Sequence, residues 1–182
     1  MMSCRIRRFR RRIGAALRKD DGTATIEFVI MFPVFVAILA SSIEVSILSA
    51  RQVMLDRAVD ITVRELRLGQ LGSPSHDQVR ERICDRTMLI RQCENVLLLE
   101  LRPVSMQTWE GLDDPVTCID RAEETAPVTR FVAGQENELM MVHACSVADP
   151  IFPGTALAAA LRKDSTGAYL FTSSSAFVNE PR

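Results

Sequence analysis

Phe28-Val29-Ile30-Met31-Phe32-Pro33-Val34-Phe35-Val36-Ala37-Ile38-Leu39-Ala40-Ser41-Ser42-Ile43 is a run of 16 residues without a charge. A membrane-spanning helix needs about 20 mostly apolar residues, with about 17 as the lower end. With its flanks the run suffices, and it extends to Ala50 if Glu44 is admitted. Its apolar side chains surround the helix on every side, unlike those of a soluble amphipathic helix. Upstream lies a basic block: residues 1–22 carry eight basic side chains (Arg5, Arg7, Arg8, Arg10, Arg11, Arg12, Arg18, Lys19) against Asp20 and Asp21. That is a net of +6, and since the 182-residue chain has a formal net charge of −1, the remainder carries −7. Basic residues on the N-terminal side put that end in the cytoplasm and the bulk of the chain outside. A buried core helix in a soluble protein would leave the basic block without a purpose. Nucleic-acid binding would need a groove-reading element, and no helix-turn-helix or zinc pattern is present.

The segment does not read as an ordinary secretory signal. Such a signal ends its apolar stretch in a small-residue cleavage site, but the residues two before Ala40 and Ala50 are Ile38 and Leu48, both too large. Glu27 also stands at the mouth of the apolar run. Asp20, Asp21 and Glu27 argue against a mitochondrial presequence, which is poor in acids. A different arrangement accounts for Asp20-Asp21-Gly22-Thr23-Ala24-Thr25-Ile26-Glu27-Phe28. A cut after Gly22 makes Glu27 the fifth residue of the mature chain. Gly22 has no side chain to obstruct a peptidase, and Asp20, Asp21, Gly22 and Thr23 are poor helix formers, so an extended junction is expected there. A carboxylate near hydrocarbon costs a few kcal/mol and is usually paired and functional. Pro33 removes a backbone donor inside the helix, so a kink is expected. Glu44 reads as the outer boundary of the membrane segment in preference to a second buried contact.

A charged leader, Gly22 at the cut, Glu27 at the fifth position, Pro33 and then Ile43-Glu44 resemble the N-terminal motif of TadE/TadF-like pseudopilins of the tight-adherence (Tad) branch of type IV pili. The resemblance covers about residues 18–60. It implies a pilin-like α+β fold, with a long N-terminal helix and a small head. It also implies cleavage between Gly22 and Thr23 by a membrane prepilin peptidase, and pairing of Glu27 with the Thr23 α-amine of a neighbouring subunit. The implied partners are that peptidase, other pilins or pseudopilins, the inner-membrane assembly platform and membrane lipid. The implied role is a minor pseudopilin in pilus assembly or priming, at the bacterial inner membrane, since major subunits of this branch are much shorter. A tip adhesin is compatible with it. The second class is an uncleaved, membrane-anchored periplasmic scaffold or binding module, which needs neither Gly22 nor Glu27.

The organisation expected is a cleaved leader over 1–22, a transmembrane helix over 23–50, a periplasmic stem over 51–72 and a head over 73–182. Ile47, Met54, Ala58 and Ile61 recur at helical spacing, with Val59, Val63 and Leu66 widening the stripe. Gly69 and Gly72-Ser73-Pro74 end the helix. A helix from Ala24 to Leu68 would be about 68 Å long. Ser75 caps a second helix with Val79, Ile83, Met88 and Leu89 on its apolar face, ending near Cys93. Strands are expected over Val96–Arg102, Glu138–Val147 and Ala168–Val178, with a short helix over Thr155–Leu161. The segment from Val116 to Val132 is ambiguous.

Cys4 falls in the cytoplasmic leader. Cys84, Cys93, Cys118 and Cys145 are four in a compartment that permits disulfides, with three possible connectivities. The preferred one is Cys84–Cys93 with Cys118–Cys145, which requires the second helix to end before Cys93, because nine residues of straight helix span about 13.5 Å and a bridge needs Cα atoms under about 7 Å apart. There is no C-x-x-C, and His76 and His143 are the only histidines, so neither metal nor cofactor is expected. His143 and Cys145 can share a strand face in imitation of a Cys–His nucleophile, but a core His beside a disulfide is the preferred reading. Without G-x-S-x-G or a phosphate loop, no enzyme is expected. Trp109 is expected to cover the head.

Overall fold

The computed structural model describes residues 23–109, 116–123, 127, 129–153 and 160–180. Helix α1 runs Thr23–Arg67 and contains Pro33. It stops where glycine lets it stop. Gly69 takes φ +65°, its N–H bonds to the Leu66 carbonyl, and the Gln70 N–H reaches back to the Glu65 carbonyl. This is the paired termination that a left-handed residue after a helix makes possible. Three further elements precede the loops of the head: α2 His76–Cys84, the single turn α3 Cys93–Val96, and strand β1 Leu97–Pro103. Strands β2 Leu139–Ala148 and β3 Tyr169–Val178 complete an antiparallel sheet in the order β1-β2-β3. The class is α+β, with the long apolar N-terminal helix and small head that the sequence predicts.

By its contacts the chain divides into a unit up to Ser42 and a unit from Ile43 to Arg182. In the first, Phe28 through Leu39 are apolar and exposed. Over an 18-residue window of the helix the mean hydropathy is 2.3, and the helix is long and apolar enough to cross a membrane. Two hydroxyls that follow Leu39 are satisfied within the helix: Ser41 donates to the Ala37 carbonyl at 2.8 Å and Ser42 to the Ile38 carbonyl at 2.9 Å. Such back-bonding removes the cost of burying an unpaired hydroxyl in an apolar medium.

In the second unit one sheet face forms the core. Leu97, Leu99, Leu101, Met140, Val142, Ala144, Phe171 and Phe177 cluster with Leu48, Leu55, Ala58, Val59 and Val63 of α1. The buried stripe of the stem is therefore rotated from the one expected. Leu55 is fully buried and Ile61 is exposed. Two candidate stripes lie within a turn of each other on a helix this apolar, and the sheet selects one. The second helix is also shorter than expected. Ser75 caps α2 with a reciprocal Ser75–Gln78 box, but the helix ends at Cys84, and Met88 and Leu89 are exposed. The cause is the Cys84–Cys93 bridge, with Cα atoms 5.5 Å apart, which a continuous helix forbids. Thr87 secures the reversal by donating to the Cys84 carbonyl at 3.2 Å. Val96 belongs to α3 and not to β1. In the ambiguous segment, Phe131 makes a parallel bridge to Leu101 on the outer edge of β1. The short helix expected over 155–161 falls mostly outside the described residues.

Candidate functional site on the stem helix

Gly22 and Cys4 lie outside the described residues, and α1 begins at Thr23. Glu27 is four residues further, so its Cα lies on the same face as that of Thr23, about 6 Å along the axis. Glu27 is exposed, and among the described residues it has neither an ion-pair nor a hydrogen-bond partner. A carboxylate with no partner among the described residues, at the start of an exposed apolar helix, is available to a cation from another molecule. Phe28 and Phe32 stack one turn apart, centroids 5.1 Å apart, directly before Pro33. The helix continues through Pro33, which leaves the Val29 carbonyl without its usual amide donor.

Glu44 behaves differently, and the boundary reading is corrected. It is 1% exposed. The Ile151 N–H donates to its two oxygens at 3.0 and 3.2 Å, and the Phe152 N–H donates to Oε2 at 3.0 Å. The carboxylate thus caps two backbone amides of the turn after Asp149-Pro150 and fastens that turn to the stem. Tyr169 lies within its field: burial first, and the Glu44 charge second, push the phenol above its ordinary 10.0. Nothing in the sequence indicates which acid receives the amides of that turn.

The head's cysteines form Cys84–Cys93 and Cys118–Cys145, the latter with Cα atoms 5.2 Å apart. Cys145 therefore holds no thiolate for His143. The two do share a sheet face, and a polar row crosses it, since Glu100 pairs with His143 and His143 with Ser174 in the strand register. His143 Nδ1 lies 2.8 Å from Ser174 Oγ, and its Nε2 lies 3.4 Å from Arg102 Nη2. Guanidinium only donates, so Nε2 accepts and Nδ1 carries the proton toward Ser174. That polarity is opposite to the one that activates a serine. Trp109 is 56% exposed and does not cover the core as expected. No group of three or more His, Cys, Asp or Glu able to hold a metal occurs among the described residues.

The stem is also where a likeness to known proteins lies. Residues 22–64 match the family model of TadE-like proteins. The match starts at the glycine read as the cleavage position, includes Glu27, Pro33 and Glu44, and stops inside α1, so the TadE-like stretch leaves the sheet and disulfides of the head outside it. No curated protein matches the chain, and no solved structure does.

Proposed function

We propose that the protein is a minor pseudopilin that takes part in assembling or priming a Tad-type pilus and carries out no catalysis. In this reading the basic leader stays in the cytoplasm, a prepilin peptidase cuts between Gly22 and Thr23, and the helix from Thr23 anchors the chain in the bacterial inner membrane with the head in the periplasm. Glu27 then pairs with the new Thr23 α-amine of an adjacent pilin or pseudopilin and sets subunit register on the assembly platform. The observation that carries the proposal is the coincidence of the TadE-like match over 22–64 with an exposed Glu27, unpartnered among the described residues, five positions beyond Gly22. Two disulfides in the head support an oxidising compartment for it.

N-terminal sequencing of the protein from native membranes tests this. A start at Thr23 is expected. A start at Met1 or Met2 would instead mean an uncleaved, anchored scaffold or binding module. If Glu27→Ala left insertion, cleavage and pilus production unchanged, the pairing role would be lost.

A further inference from the structure

Within the second unit, helix α1 carries an apolar stripe besides the one that the sheet covers. Ile47, Met54, Ile61 and Leu68 recur every seven residues. Ile43, Ala50, Arg57 and Arg64 form a second such series, so that steps of four and three alternate along the stem. A repeat averaging 3.5 residues is the seam by which one helix packs along another. Leu68 belongs to the stripe, since its N–H still bonds to the Arg64 carbonyl at 3.1 Å. None of these residues joins the core of the head. Ile43, Ile61 and Leu68 are 42%, 38% and 46% exposed, and Ile47, Ala50 and Met54 are half-buried.

The two arginines decide what can cover the stripe. Arg57 and Arg64 are exposed, and among the described residues neither side chain makes a hydrogen bond or an ion pair. Asp60 stands four residues before Arg64, a spacing that allows a pair on a helix, yet the two are not joined. A second copy laid on the stripe in parallel register would set Arg57 against Arg57 and Arg64 against Arg64. An antiparallel copy centred on the stripe would set them against Met54 and Ile47, with no acceptor. Charges placed in a seam in this way select against the wrong partner. A helix with carboxylates at those two levels meets uncommitted guanidinium groups, which hold a carboxylate by two parallel hydrogen bonds.

We propose that this stripe binds a helix of a different protein, one with its own apolar 3.5-residue repeat and with aspartate or glutamate opposite Arg57 and Arg64. The contact lies beyond the site around Glu27 and needs no cut after Gly22. Its charge pattern makes the stem choose an acidic helix over a second copy of itself.

The test places the photoreactive p-benzoylphenylalanine at position 61 of the full chain, irradiates native membranes and sequences the cross-linked peptides by mass spectrometry. The expected product joins position 61 to a helix of another protein, with an aspartate or glutamate within one turn of the attachment point. Its yield should fall about tenfold in Arg57→Glu/Arg64→Glu, where like charges meet. Both arginines are exposed and free of described contacts, so that variant should melt with the parent. It also supplies an acidic helix of known sequence. Parent chain carrying the probe, mixed in detergent with Arg57→Glu/Arg64→Glu, should cross-link to it, and neither chain should cross-link to itself. A cross-link between identical parent chains would overturn the proposal and assign the stripe to a second copy. Attachment to lipid alone, or a native yield unmoved by the charge reversal, would overturn it too. A chain that starts at Thr23 and gives no cross-link loses this inference only, and leaves the proposed processing standing.

Discussion

Glu44 illustrates how a single carboxylate serves as a structural cap. Replacing it with alanine strands the Ile151 and Phe152 amides in a buried site, at a cost of about 1–3 kcal/mol. Glu44→Gln keeps the length and one acceptor oxygen, so it should lose less. Thermal unfolding in detergent distinguishes the three proteins, and identical melting of Glu44→Ala and the parent would show that the two amides gain nothing from the carboxylate. Asp149 gives a second residue-scale prediction. The hydrogen bonds from Arg121 hold its carboxyl below the ordinary 3.8, with burial opposing. A depressed folded-state value contributes stability that is complete above the ordinary value and is lost as pH falls through the lowered one. The side chain is 72% exposed, so solvent screens the pair and the effect is small. Asp149→Asn should melt slightly below the parent at neutral pH, and the difference should vanish in acid.

At the scale of elements, the head is stapled where its helices are too short to stand alone. Helix α2 has nine residues, well under the length at which an isolated helix persists. It is retained by its Ser75 cap, by Val79 and Ile83 in the core, and by the bridge from Cys84. The turn after it is held to the stem by Arg86, which meets Glu65 at 2.6 Å. The two bridges close loops of different length, 9 residues for Cys84–Cys93 and 27 for Cys118–Cys145. In the chain-entropy view the longer loop stabilises more, by about 1 kcal/mol. Denaturant unfolding of the two double alanine variants should therefore rank Cys118→Ala/Cys145→Ala as the less stable. The reverse ranking would mean that native packing around Cys84–Cys93 outweighs loop closure.

For the whole molecule, the division at Ser42 and Ile43 predicts where the chain can be cut. A protein starting at Ile43 keeps Glu44, Leu48 and the rest of the buried stripe, and should fold as a soluble α+β head. One starting at Arg51 loses the Glu44 cap and the burial of Leu48, itself worth about 1.5–3 kcal/mol, and should melt at a lower temperature. Circular dichroism of the two checks this, and equal melting would place the residues before Arg51 outside the cooperative unit.

The sequence by itself determined the long apolar helix, its glycine stop, the Ser75 cap, the three strands to within a residue or two, and the spacing of Gly22, Glu27 and Pro33. These are local properties: hydropathy over a turn or two, the left-handed freedom of glycine, and alternation along a strand. Only the tertiary structure decided what distant residues do to one another. It chose Leu55 over Ile61 for the buried side of the stem, because the sheet face meets one stripe and leaves the other in solvent. It ended α2 at Cys84, because a bridge to Cys93 overrides the helical pattern carried by Met88 and Leu89. It buried Glu44 against amides more than a hundred residues away, and it left Arg57 and Arg64 exposed on the stem. A carboxylate or guanidinium has the same appearance in sequence whether it ends in water or against a backbone turn, and only the folded chain's long-range contacts settle which.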